Sequence, residues 1–391
     1  MASSFVRLGL FSKPAAMRLK SGGGLSSLKY SPFLRNFTNS SAAATTTTQP
    51  LPSLRSPSDA RPWPLLMLPS TDYYLDDSIT AANFSFYSPI HNQILHLWNR
   101  VLPEEITDPF TYCAGSTSNG LLVYINSRKY EIYLANLFSQ SSNPTVEIIK
   151  LPAMTSEPRV HKIVLSSSPD DENCIVLVVD SFTKSLSFCK IGDKTWNQII
   201  QPDITKSGMG KLVDVMYSNK DELFHCLRFD GGVESWDIRN PSNITKMSQA
   251  QFISELGQIN QRLVETPTGG GIYISNSWRK GTEDILYEGS KFYLQGIDFQ
   301  RGICQKVESI GNQAMFLGCN YSFSVSIDDF PELKPDTVYF SDPMVYQRIH
   351  CSQFMWKYNV KDESVDPIAA LSDYSHKAAT QPIWVFANLC K

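Results

Sequence analysis

Residues 311–343 read GNQAMFLGCNYSFSVSIDDFPELKPDTVYFSDP. Phe323 and Val325 alternate with Ser322, Ser324 and Ser326, the period of a strand, and Asp329-Phe330-Pro331 supplies a turn before Val338-Tyr339-Phe340 resumes. The stretch closes a series. Strand-like segments open near Thr111, His161, Leu212, Leu263 and Ala314, about fifty residues apart each time. Each unit repeats one plan: a strand, a polar or Gly-rich turn, a second strand, and after a loop a further strand. That further strand is read at Val146 to Leu151, Trp196 to Ile199, Trp236 to Ile238 and Val307 to Ile310. Such a period in a β-rich chain predicts an all-β fold, a β-propeller with blades of about fifty residues. One blade cannot bury its own apolar faces, so neighbours must stack around an axis and the chain termini must pair to close the ring. The alternative is a β-sandwich or barrel with chance spacing.

The other strands have the same period. Tyr130, Ile132 and Leu134 alternate with Glu131, Tyr133 and Ala135, and Phe354, Trp356, Tyr358 and Val360 alternate with Met355, Lys357 and Asn359. Both predict strands buried on one face. Val213, Val215 and Tyr217, the turn Asn219-Lys220-Asp221, and the return at Leu223 and Leu227 read as a hairpin. Short helices are few; Gln249 to Leu256 is expected to make two turns with Phe252, Ile253 and Leu256 inward.

Composition agrees with this class. The 391 residues are 42% apolar and 12% aromatic, which suits pleated, half-buried surfaces. Apolar runs such as Cys174 to Val179 stop at about six residues, whereas a helix needs roughly twenty to cross a bilayer, so no transmembrane segment is expected.

Charge divides the chain unevenly. No Asp or Glu precedes Asp59, while residues 1–58 hold Arg7, Lys13, Arg18, Lys20, Lys29, Arg35 and Arg55 among many Ser, Thr, Ala and Gly. The remainder carries 28 basic and 38 acidic residues. A basic, acid-free, Ser-rich leader suits a cleaved organellar transit peptide, here residues 1–48, and a disordered tail without an address is the alternative. Phe5, Leu8 and Phe11 share one side of a short helix with Arg7 and Lys13 displaced from it, and Arg35-Asn36-Phe37 resembles an Arg-x-aromatic cleavage pattern. Both favour the mitochondrion. Met1-Ala2-Ser3-Ser4 and Thr45 to Thr48 suit a chloroplast or dual targeting. Residues 49–62 read as a linker, because Pro50, Pro52, Pro57 and Pro62, with Pro64 and Pro69 just beyond, prevent regular structure. The propeller-like domain is expected over 63–391.

Several blocks carry a family resemblance. Leu317-Gly318-Cys319-Asn320-Tyr321-Ser322-Phe323-Ser324-Val325-Ser326, then Asp329-Phe330-Pro331 and Val338-Tyr339-Phe340-Ser341-Asp342, resembles the plant family of domain of unknown function 295, which is F-box-associated and β-propeller-like. Phe86-Tyr87-Ser88-Pro89, Cys113-Ala114-Gly115-Ser116 with Asn119-Gly120-Leu121-Leu122, Glu131-Ile132-Tyr133-Leu134-Ala135-Asn136, Lys162 to Pro169, Phe188-Cys189-Lys190, Gly192-Asp193 to Trp196 and Pro382-Ile383-Trp384-Val385 resemble its other segments. Two features depart from it: the Trp usual between Gly120 and Leu121 is missing, and Phe138 stands where Pro is usual. Many relatives carry an N-terminal F-box, a helical module that recruits ubiquitin-ligase machinery. Here the leader and linker occupy that space, so the chain is similar to an organellar branch without the F-box.

Motifs for chemistry are sparse. The cysteines (113, 174, 189, 226, 304, 319, 351 and 390) form no Cys-x-x-Cys, so no metal is expected. His225-Cys226 and His350-Cys351 are adjacent pairs, but neighbours on a strand point to opposite faces, so neither pair chelates or acts as nucleophile and base unaided. Gly115 to Gly120 has P-loop spacing with Leu121-Leu122 where Lys and Ser or Thr must stand, and Gly208-Met209-Gly210 lacks a dinucleotide loop's third glycine. Gly231-Gly232 and Gly269-Gly270-Gly271 read as turns, Trp236-Asp237 as a solitary dipeptide, and Asp170-Asp171-Glu172 as a solvated loop. Asp328 and Asp329 read as capping residues. No catalytic, cofactor-binding or metal residue is assigned, and the acidic balance argues against nucleic acid.

The expected function is a non-enzymatic mitochondrial propeller that binds an unidentified protein partner through its loops. An enzyme with carboxylates converging at the axis, or an F-box-less relative of ubiquitin-ligase substrate adaptors, are the alternatives.

Overall fold

Strand β1 (Trp63–Met67) lies between β2 (Ala81–Ser88) and β25 (Ile383–Ala387), so the first and last strands of the chain are hydrogen-bonded neighbours. The structure is a computed structural model. It describes residues 62–68, 81–139, 144–155, 160–180, 186–199, 212–228, 231–239, 245–251, 258–277, 291–318, 320–341, 355–368, 371 and 382–387, all within the unit Thr48–Lys391. The leader, residues 49–61 of the linker, Gly208-Met209-Gly210, His350-Cys351, Cys319 and Cys390 lie outside the described residues.

Six sheets form among the described residues. Blade 1 runs β25-β1-β2-β3, with β3 spanning Gln93–Val101. Blade 2 is β4 (Thr111–Ser116), β5 (Leu122–Asn126), β6 (Glu131–Asn136) and β7 (Glu147–Lys150). Blade 3 is β8 (Val160–Leu165), β9 (Ile175–Asp180), β10 (Leu186–Lys190) and β11 (Asn197–Ile199). Blade 4 is β12 (Leu212–Ser218), β13 (Leu223–Arg228), β14 (Gly232–Asp237) and β15 (Thr245–Gln251). Blade 5 is β16 (Gln258–Glu265), β17 (Gly271–Ser277), β18 (Lys291–Asp298) and β19 (Ile303–Lys306). Blade 6 holds β20 (Gln313–Leu317), β21 (Phe323–Ser326), β22 (Thr337–Ser341), β23 (Met355–Asn359) and β24 (Val365–Pro367). The fold is an all-β propeller. One four-residue helix, α1 (Glu104–Thr107), is described.

The core is divided among the seams between blades. Leu65 and Phe86 of blade 1 pack with Leu122 and Tyr133 of blade 2; Val123 and Leu134 pack with Ile163 and Val176; Val164 and Phe188 with Val215 and Phe224. Leu227 and Val233 then meet Leu263 and Tyr273, Ile274 and Leu294 meet Met315 and Val338, and Phe316 and Tyr339 meet Leu66 and Trp384, which completes the ring. A blade is therefore covered on both faces. This corrects the one-face expectation: Ile132, Tyr133, Leu134 and Ala135 are all buried, as is every residue of β5. Strands between two blades lose their polar face because no water reaches either side.

Other expectations also change. Gln249 to Gln251 end strand β15 instead of opening a helix, and residues 252–256 lie outside the described residues. Pairing with β14 outweighs the helical spacing there. Trp236 belongs to the third strand of blade 4, and Val307 to Ile310 follow β19 as a loop. Ile238 and Ile310 are buried between blades without joining a ladder, and burial alone misled the strand assignment.

Blade 6 departs from its neighbours. Its order is β21-β20-β22-β23-β24, and β20 pairs with β22 in parallel, Ala314 opposite Thr337 and Leu317 opposite Phe340. A parallel neighbour needs a crossover, and strand β21 with residues 327–336 makes it, so β21 becomes innermost. Asp336 pins the return in a left-handed conformation (φ 55°). Its carboxylate accepts from Ser309 Oγ (2.6 Å), Ile310 N (2.8 Å), Gly311 N (3.0 Å) and Lys361 Nζ (2.9 Å). Despite partial burial, these donors hold its carboxyl below the ordinary range.

Candidate functional site

The innermost strands are β25, β4, β8, β12, β16 and β21. In β4, β8, β12 and β16 the register with the next strand slips by one residue at a corresponding level, between Cys113 and Gly115, Val160 and Lys162, Leu212 and Asp214, and Ile259 and Arg262. A bulge bends its strand and re-aims the side chains beside it. Gly115, Lys162, Asp214 and Arg262 are thus equivalent positions, one in each of blades 2, 3, 4 and 5, and together they form an axial ring over those four blades.

Three of these positions are tied to one another or to the plug described next. Lys162, 3% exposed, pairs through Nζ with Asp214 Oδ1, and the second carboxylate oxygen of Asp214, itself 1% exposed, accepts from Leu263 N (2.7 Å). Blades 3, 4 and 5 are joined by these two contacts. Burial drives the Lys162 ammonium below its ordinary value, and the Asp214 charge opposes that shift. His161 Nε2 lies 2.9 Å from the Val213 carbonyl, which can only accept, so that nitrogen carries the hydrogen. Burial holds His161 below the ordinary histidine range, and the Arg262 guanidinium pushes the same way.

Asn320 closes the axis. It sits in the turn between β20 and β21, is buried, and accepts from Ile163 N (2.8 Å) through Oδ1. Its Nδ2 donates to Ser116 O and to Ile163 O (3.2 Å). Blade 6 neighbours blades 5 and 1, so bonds from Asn320 to blades 2 and 3 cross the centre. Ser116 Oγ donates in turn to Trp384 O of β25, and Arg262 Nε donates to Gly318 O (3.3 Å). Gly115 is required opposite Asn320. A Cβ there would collide with the Asn320 Cβ, and its φ of 150° disfavours a side chain.

Gly115→Ala is therefore expected to destabilise by about 2–4 kcal/mol, from collision and backbone strain together. Asn320→Ala strands buried main-chain groups on blades 2 and 3, at about 1–3 kcal/mol. Urea unfolding of Gly115→Ala alone, of Asn320→Gly alone, which removes the Cβ that a side chain at 115 would meet, and of the two together tests the contact. The double variant should cost clearly less than the sum, and strict additivity would refute the contact.

A second constellation resembles acyl-transfer chemistry in composition. His225 Nδ1 lies 2.8 Å from Ser235 Oγ, and Nε2 lies 3.2 Å from Asp221 Oδ2. The imidazole stacks on Phe299 of blade 5 with centroids 3.6 Å apart. His225 is 0% exposed and Ser235 1%, so both are buried in the seam between blades 4 and 5, which the His225–Phe299 stack ties together, while Asp221 keeps 18% of its side chain exposed. Cys226 faces the other seam, among Val215 and Phe188, so the adjacent pair does point to opposite faces.

The remaining sequence candidates take local roles. Cys174, Cys189 and Cys226 are buried, and burial raises the thiol values of all three as well as those of Cys113 and Cys304. Asp328 N donates to Ser326 Oγ (3.2 Å) in the turn after β21, where Asp329 N donates to Ser326 O (3.2 Å). Gly120, Gly231 and Gly269 sit in turns at positive φ. Asp171 accepts from Asn173 N (2.9 Å) within its loop. Sequence reasoning missed the ring residues and the role of Asn320, although aligning the blades at Gly115, Lys162, Asp214 and Arg262 would have shown their equivalence.

The family model for the KIB1-4 beta-propeller matches residues 86–365, well over half of the chain. The chain belongs to the KIB1-4 beta-propeller family. The match runs from the last three residues of β2 to the first residue of β24, so it includes the axial ring and Asn320. No curated protein matches this KIB1-4 propeller. Among solved structures it is similar to TolB from Acinetobacter baumannii, at 11% identity and a TM-score of 0.41, over 84% of this chain and 67% of that one. A protein from Lactobacillus plantarum is similar at 8% identity and a TM-score of 0.38, over 78% and 95%. Likeness at that level says nothing about function.

Proposed function

We propose that this KIB1-4 propeller is a non-enzymatic organellar scaffold that binds a partner protein through its loops. The observation that carries the reading is the crossing of the axis by Asn320, which leaves the interblade loops as the variable surface of a rigid ring. Asp214, the carboxylate of the axial ring, is consumed by Lys162 and Leu263 N, unlike an acid or base held ready for substrate. Phe110 and Tyr130, exposed beside Arg128 at one end of blade 2, offer the aromatic and Arg content that protein interfaces favour. The acid-free leader supports an organelle, the mitochondrion first, and the resemblance to F-box-associated relatives supports descent from partner-binding propellers.

Import of a fluorescent fusion tests the address. The full chain should enter mitochondria, and deletion of residues 1–58 should leave it in the cytosol. A cytosolic or nuclear signal for the full chain would instead favour a ubiquitin-ligase adaptor. Purification from isolated mitochondria should then recover one partner reproducibly, and Phe110→Ala with Tyr130→Ala should reduce its recovery.

A further inference from the structure

The axial ring carries one charge too many. Lys162 and Asp214 form an ion pair, and burial lowers His161 below the ordinary histidine range, which leaves the Arg262 guanidinium. Its hydrogen bonds among the described residues go to two neutral main-chain carbonyls, Gly318 O (3.3 Å) from Nε and Gln261 O (2.9 Å) from Nη1. No carboxylate among the described residues pairs with it. Arg262 also lies near enough to Lys162 and His161 to disfavour their protonated forms, a repulsion that Asp214 offsets for those two groups while Arg262 itself has no carboxylate partner among the described residues. A partly buried guanidinium in such surroundings ordinarily has an oxyanion in its plane.

Gln261 supplies a second, independent observation. It lies within the β16 bulge beside Arg262, is 7% exposed, and its side-chain oxygen has no hydrogen-bond partner. Turning that amide over, an assignment the two orientations share, exchanges the unpartnered acceptor for a donor on the residue next to Arg262 in the bulge. Arg262 itself keeps part of its surface open to solvent. Bulges at matching levels in four blades are also the local distortion that strands adopt around sites.

We propose that Arg262, on the innermost strand of blade 5 beside the Asn320 crossing, binds an oxyanion, a carboxylate or phosphate group. The site is separate from the loop surface proposed above, since it lies on an innermost strand.

The test is calorimetric titration and thermal unfolding of the full chain with inorganic phosphate, succinate or an acidic peptide, at ionic strength matched with sodium chloride. Saturable stabilisation is expected in one arm. Phosphate or succinate acting alone identifies a small ligand of that chemistry, whereas the peptide acting alone identifies an acidic side chain as the source. Arg262→Gln should weaken binding at least about tenfold, and Arg262→Lys, which keeps charge but loses the planar fork, should weaken it less. The proposal is overturned if no arm stabilises the wild-type chain beyond chloride, or if Arg262→Gln binds as tightly as wild type. Arg262→Lys and the wild-type titrations keep the question decidable even if Arg262→Gln fails to fold.

Discussion

Lys162→Met is expected to lower stability by about 3–5 kcal/mol, because it leaves Asp214 ionised, buried and short of its counter-charge. The two groups lie on the innermost strands of neighbouring blades, so their separation in sequence says nothing of the pairing. Asp214→Asn added to Lys162→Met should recover more than half of the loss. The asparagine is neutral and still accepts from Leu263 N, so the buried charge disappears while the tie to blade 5 persists. Urea denaturation of the three variants, read as shifts in midpoint at constant slope, measures both effects. A single variant within about 1 kcal/mol of wild type would show that the pair is not buried in solution.

Removal of residues 382–391 is expected to abolish cooperative folding. Strand β25 pairs with β1 from Trp63 opposite Ala387 to Met67 opposite Ile383, and without it the last strand of blade 6 and the first of blade 1 have no covalent reason to meet. The loss is not confined to one ladder. Trp384 is fully buried, stands edge-on to Phe316 at 4.8 Å, and its carbonyl takes the Ser116 hydroxyl, so the strand joins blades 6, 1 and 2. Trp384→Ala, which keeps the strand, should cost about 3–5 kcal/mol as a large-to-small core change. Thermal unfolding followed by circular dichroism should show a sharp transition for wild type, a lowered one for Trp384→Ala, and none for the truncated chain. A sharp transition in the truncated chain would mean that the ring closes elsewhere.

The blade period was legible because each blade repeats the same task. Thr111 and Leu212 open β4 and β12, and His161 and Ala314 fall one residue inside β8 and β20, whereas Leu263 falls late in β16, which already begins at Gln258. Strand direction and sheet order were not legible. The alternation in Phe323 to Ser326 fits a strand equally well on either side of β20, and only the crossover through residues 327–336 places it innermost. Nor could alternation separate one buried face from two: Glu131 and Tyr133 read as an outward face, yet Tyr133 is buried in the seam with blade 1. Asn320 stood in the opening stretch as an ordinary turn residue. Its partners, Ser116 and Ile163, lie about two hundred and one hundred and sixty residues away, and such distant main-chain acceptors and donors leave no local pattern.

By itself the amino-acid sequence determined that this protein is a ring of β-blades of about fifty residues preceded by 58 residues without Asp or Glu, since periodicity and composition are local properties repeated along the chain. Pairing of the termini was expected; the tertiary structure alone decided that it runs through β1 and β25, that Asn320 crosses the axis, and that Arg262 is left there without a paired carboxylate among the described residues. The physical reason is the same in all three cases. Closure, plugging and charge balance depend on which distant strands become neighbours, and that is settled by burying the two faces of every blade at once.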